Sequence, residues 1–103
     1  MSEADAVRIA AGLGDDGASL QRADAALGQA LSGVVQAWLA RHRDEWDVDL
    51  FFENYGRPPR DGSSWSQAIL DALGTRSDIP QADRDAVIDQ AKQKAVSALA
   101  VGG

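Results

Sequence analysis

Residues 19–43 set the terms for everything else in the chain. At about 100° per residue, Leu20, Leu27, Leu31, Val34, Trp38 and His42 fall in one narrow sector, which predicts a long helix with a core-facing stripe. A second stripe, Ala26, Ala30, Gly33, Ala37 and Ala40, lies well round from the first and holds only small side chains. Small residues let another backbone approach, so Ala30, Gly33 and Ala37 are a candidate face for a homo-oligomer. They are equally ordinary helix residues with little to bury, and this plainer reading is preferred. Gly28 and Gly33 each weaken such a helix by about 1 kcal/mol relative to alanine, so something outside the helix must hold it.

The flanking segments read as shorter helices. A first helix over 2–11 has Ser2 as N-cap with Asp5 three residues on, and Gly12, Gly14 and Gly17 with Asp15 and Asp16 break it. A helix over 65–73 is capped by Ser63 or Ser64, carries Trp65, Ile69 and Leu73 four apart, and stops at Gly74. Pro80 suits the first turn of a last helix running to about Ala100, with a weak stripe of Ile88, Ala91, Ala95 and Leu99 beside Val87. That weakness predicts packing against the long helix, and residues 101–103 read as a helix stop and flexible tail.

The middle differs in kind. All six aromatic residues, Trp38, Trp46, Phe51, Phe52, Tyr55 and Trp65, lie between positions 38 and 65, which predicts an aromatic hub. Residues 46–55 are read as a short helix ended by Gly56 rather than a strand, because a lone strand has no partner here. Pro58 and Pro59 make 57–62 a loop. The expected architecture is one all-α domain of four to five helices, with the long and last helices packed lengthwise.

Composition excludes several functions. Of 46 nominally hydrophobic residues among 103, nineteen are alanine, so the core is thin. Without cysteine there are no disulfides, thiol nucleophiles or thiolate metal sites. The opening residues lack the basic and apolar regions of a signal peptide, which makes cytoplasmic location the expectation. No apolar run approaches the roughly 20 residues that a bilayer requires. The formal charge of -6 disfavours nucleic-acid binding, which draws its affinity from lysine and arginine.

Catalytic constellations are not evident. His42 with Asp44, Glu45, Asp47, Asp49 and Glu53 is the densest group of ligand-type side chains, but Trp46, Val48, Leu50 and Phe51 interrupt it and no metal spacing results. A solvated acidic face is the simpler reading. The serines have one histidine to serve them and no nucleophile elbow, while the loop around Gly12, Gly14 and Gly17 carries two acids where a phosphate would be repelled. Neither an enzyme nor a bound metal or cofactor is expected.

The only locally basic stretch is Tyr55-Gly56-Arg57-Pro58-Pro59-Arg60. A stiff Pro-Pro pair beside tyrosine and arginine offers area and charge at low ordering cost, which makes Tyr55, Arg57, Pro58, Pro59 and Arg60, with nearby Trp46, the candidate partner-binding residues. The expected function is therefore a small acidic, non-enzymatic protein-protein interaction module, regulatory, inhibitory or assembly-accessory, steered to a basic partner surface.

An alternative rests on residue order. Phe51-Phe52-Glu53-Asn54-Tyr55-Gly56, then Asp61-Gly62-Ser63-Ser64-Trp65 opening a helix, then Ile79-Pro80 before a last helix, resembles the acyl and peptidyl carrier proteins. The resemblance implies a helical bundle with phosphopantetheine attached to Ser63 or Ser64. Arg57 to Arg60 would be an insertion in that pattern, and Trp65 replaces an aliphatic residue.

Overall fold

The computed structural model describes residues 2–42 and 48–102. Five helices follow one another: α1 (Glu3–Ala10), α2 (Gly17–Arg41), α3 (Val48–Tyr55), α4 (Trp65–Gly74) and α5 (Gln81–Gly102). No strand occurs among the described residues.

Local chemistry explains the boundaries. Ser2 caps α1 by accepting from the Asp5 amide at 3.1 Å. At its other end the Gly12 amide reaches the Ile9 carbonyl and the Leu13 amide reaches Arg8, both at 3.0 Å, while Gly12 adopts φ +75°. That pair of bonds around a left-handed residue is a Schellman stop, which glycine enters without steric cost. Arg8 also donates to the Gly14 carbonyl at 3.0 Å, fixing the turn into α2. The long helix begins earlier than its apolar stripe predicts, because Asp16 caps it by accepting from the Ser19 amide at 2.7 Å.

α2 is the axis of the fold. A helix of 25 residues is about 37 Å long at 1.5 Å per residue, close to the 41 Å long dimension of the molecule. Each of the other four helices packs against it, α5 most extensively and lengthwise. Because neighbours approach from several sides, its buried arc is wider than the expected stripe: Leu27, Leu31, Val34 and Trp38 are joined by Ala23, Val35 and Leu39. The ends of that stripe, Leu20 and His42, are exposed. On the small-residue side, Ala26 and Ala30 are half-buried against the core, whereas Gly33, Ala37 and Ala40 are exposed.

α5 seats Val87, Ala91, Ala95 and Leu99 in the core. Ala91 and Ala95 are almost wholly buried, so this contact gains by close backbone approach over length rather than by bulky side chains. Pro80 precedes the helix instead of entering it, its carbonyl accepting from the Asp83 and Arg84 amides. The helix also continues past the expected stop at Ala100, through Val101 to Gly102. Lys92 and Glu3 pair at 3.0 Å, tying α5 to α1.

Among the described residues the expected aromatic hub is not seen. Trp38 stacks on His42 at a centroid distance of 4.2 Å near the end of α2. Phe51 and Tyr55 meet at 5.3 Å, one turn apart on α3. Phe52, rotated about 100° from Phe51 by the helix, points outward and is 45% exposed. Trp65 lies against Gly28 of α2. The described rings are thus divided among α2, α3 and α4. Trp46 lies outside the described residues.

Candidate functional site

The start of α4 is built from two distant parts of the chain. Ser64 caps it by accepting from the Gln67 amide at 3.1 Å. From α2, Asp24 reaches across to the same end: its carboxylate accepts from the Trp65 amide at 3.0 Å, the Ser66 amide at 3.3 Å, and the hydroxyls of Ser64 and Ser66, each at 2.5 Å. A carboxylate at a helix N-terminus also compensates the macrodipole. Three of the amides that α4 leaves without intrahelical partners are thereby satisfied from side chains.

Directly below, Trp65 is pressed onto α2. A Cβ on Gly28 would lie 2.6 Å from Trp65 Cδ2, so only glycine permits this seat. The indole Nε1 donates to the Tyr55 carbonyl at 2.8 Å, which anchors the end of α3 and the start of the following loop. Gly56 closes α3 through its amide to the Phe52 carbonyl at 2.8 Å. Gly62 turns the loop back at φ +80°, and Asp61 accepts from the Ser63 amide at 2.9 Å.

These constraints leave a groove of about 540 Å³ between the first half of α2 and the loop. It is lined by Leu20, Gln21, Asp24 and Ala25 of α2, Pro58 and Pro59 of the loop, Ser63, Ser64 and Trp65 at the start of α4, and Ser2 and Ala4 at the start of α1. Leu20 is 37% exposed there. Of the sequence-selected residues, the groove unites Pro58, Pro59, Ser63 and Ser64. Arg57 and Arg60 flank the prolines, are exposed, and have no ion pair among the described residues. Tyr55 is instead half-buried against the core, its ring beside Phe51.

Electrostatics at the rim are local. Hydrogen bonds from the Ser63 hydroxyl and amide hold the Asp61 carboxyl below its ordinary value. The Ser64 hydroxyl is committed twice, donating to Asp24 and accepting from Gln67. Among the described residues no three His, Asp or Glu side chains are placed to hold a metal ion, and positions 44, 45 and 47 of the acidic stretch lie outside them. No described helix is long and apolar enough to cross a membrane.

Asp24 and Gly28 are absent from the sequence-derived site. A signal for Asp24 exists: it sits about 40° round from Leu20, inside the apolar sector, where a carboxylate requires a partner. Nothing local marks Gly28, since its neighbour is 37 positions away. No protein-family model, curated protein or solved structure matches the chain.

Proposed function

We propose that the chain is a small non-enzymatic protein-binding module whose working face is the groove between α2 and the Pro58-Pro59 loop. The observation that carries this is an apolar groove held open by fixed parts: a helix wall, two prolines, and a tryptophan locked by Gly28 and the Tyr55 carbonyl. Its volume falls in the range of about 300–1,000 Å³ typical of ligand sites. A rigid apolar surface binds at low ordering cost. At longer range, the formal charge of -6 steers the module toward partners with basic surfaces.

Site-specific photo-crosslinking tests this reading. A photoreactive residue at Gln21 should give discrete adducts in cells, whereas the same residue at exposed Gln90 on α5 should not. Absence of any Gln21-dependent adduct defeats it.

The carrier-protein alternative is disfavoured by the same geometry. Phosphopantetheine on Ser64 would displace a cap, and the α4 amides that could receive its phosphate are already taken by Asp24 and Ser64. Incubation with coenzyme A and a phosphopantetheinyl transferase is expected to leave the mass unchanged. A gain lost in a Ser63→Ala, Ser64→Ala variant would reinstate the alternative.

A further inference from the structure

We propose a second interaction surface: an acidic trough between α1 and α5 that takes a basic amphipathic helix of another protein. Two adjoining hollows of about 490 Å³ and about 500 Å³ form it, and Asp89 and Lys92 line both. It shares no lining residue with the groove beside Pro58 and Pro59. The apolar end is lined by Ala6, Val7 and Ala10 of α1 and Val96 of α5. Small side chains such as Ala6 and Ala10 let a third helix come close, and aliphatic groups laid there are removed from water. With no strand among the described residues, an extended peptide finds no sheet edge to join, and a helix in the trough is the mode that fits.

The other end sets the charge of the occupant. Glu3, Asp85, Asp89 and Lys92 are the charged residues that line the trough. Lys92 pairs with Glu3 at 3.0 Å, although Asp89 lies only three residues away on its own helix. Asp85 and Asp89 are left uncompensated. Asp89 has no ion pair or hydrogen bond among the described residues, and Asp85 accepts from the neutral side-chain amide of Gln81 at 2.8 Å, which leaves its charge in place. Like charges four apart on a helix repel, so a cation brought between them relieves a cost the free protein carries. Their separation of about 6 Å along the axis is also that of two Lys or Arg residues four apart on a partner helix packed alongside. The formal charge of -6 thus has, at this trough, a shaped surface with apolar lining beside it.

Two labelled peptides of about sixteen residues are the probes, helical in pattern with Leu on one face and either Lys or Glu at i, i+4 spacing beside it. Fluorescence polarisation with the full chain is expected to show the Lys-Leu peptide binding about tenfold tighter than the Glu-Leu peptide, with the margin shrinking as salt rises. Asp85→Asn with Asp89→Asn should weaken the Lys-Leu peptide about fivefold. Asp15→Asn with Glu53→Gln removes the same charge from exposed positions elsewhere and should change it by less than about twofold. All four side chains are exposed, so the urea midpoints should stay close to the wild type. Ala10→Trp should also weaken the peptide, by filling the apolar end. Amide shifts should concentrate at Ala6, Ala10, Asp89 and Val96. Equal binding of the two peptides, equal loss in the two charge-removal pairs, no binding, or shifts confined to another face overturns the proposal. So does self-association that Asp85→Asn with Asp89→Asn abolishes, since a second copy would then be the occupant. Crosslinking at Gln21 reads the other groove: its loss defeats the reading proposed above and leaves this surface standing, while failure here leaves that reading intact.

Discussion

Trp65 is packed directly onto Gly28: the indole occupies the space where any side chain at position 28 would begin, 2.6 Å from an ideal Cβ. Two opposed effects meet at that position. Alanine raises helix propensity by about 1 kcal/mol over glycine, while overpacking a filled site costs about 1–3 kcal/mol. Because Trp65 is 8% exposed and its ring is rigid, the packing cost wins.

Gly28→Ala is therefore expected to destabilise the fold by up to about 2 kcal/mol. Gly33 lies on the same helix with nothing within 4 Å of its would-be Cβ. Gly33→Ala should stabilise by about 0.5–1 kcal/mol, since only propensity and chain entropy act there. Urea denaturation of the two variants checks the pair, and a shift of the same sign in both would refute the account.

Asp24 and Ser64 act as one cap. Asp24→Ala strands two hydroxyls and two amides at a partly buried helix end and should cost about 2 kcal/mol. Ser64→Ala alone should cost about 1 kcal/mol through loss of the bond to the Gln67 amide. Since the two side chains touch, the double variant should depart from additivity by roughly 0.5–1 kcal/mol, measurable in a double-mutant cycle. Strict additivity would separate them.

The Trp65 indole is the link between α4 and the end of α3. Trp65→Phe keeps a ring on Gly28 but removes the indole hydrogen bond to the Tyr55 carbonyl, at about 1 kcal/mol. Hydrogen exchange should speed up over residues 52–57 relative to the α2–α5 contact, where local stability does not depend on this bond. Uniform acceleration across the chain would indicate a packing defect instead.

Acid should weaken the protein through identifiable carboxylates. A hydrogen bond from Ser2 holds Asp5 below its ordinary value of 3.8, the Ser19 amide and hydroxyl do so for Asp16, and Ser63 does so for Asp61. A depressed folded-state pKa means the unfolded chain binds more protons in the interval between the two values, so stability is fully present above pH 3.8 and is lost as pH falls through the folded values. Asp16→Asn, which keeps a capping side chain without the charge, should lie below the wild type at neutral pH and converge with it in acid. Urea midpoints followed from pH 7 to about 2.5 report this, and parallel curves would remove Asp16 from the acid response.

Much of the fold was legible because its causes are local. Ser2 and Ser64 cap the helices they precede, Gly12 and Gly56 end the ones they follow, and the spacing of Ile69 with Leu73 or of Ala91 with Ala95 shows which side goes inward. The Pro58-Pro59 loop stood out for the same reason, since a fixed φ and missing donors need no tertiary context. Leu20 misled: periodicity assigns it to the core, yet a residue on the stripe is buried only if another element reaches it, and near the start of α2 the loop stops short, leaving a groove.

What the sequence by itself determined is the set of helices, the Ser2 and Ser64 caps and the glycine breaks, and the alanine-rich character that makes their contacts close and shallow. Only the tertiary structure decided where the aromatic rings go, what Asp24 is for, and which glycine of α2 is indispensable. Each of these depends on a neighbour that lies about forty positions away in the chain or is set by how separate helices are oriented, as with Asp24 against Ser64 and Gly28 against Trp65. Helical periodicity relates residues three or four apart; it does not say which face of one helix meets which end of another, and the groove is made by that meeting.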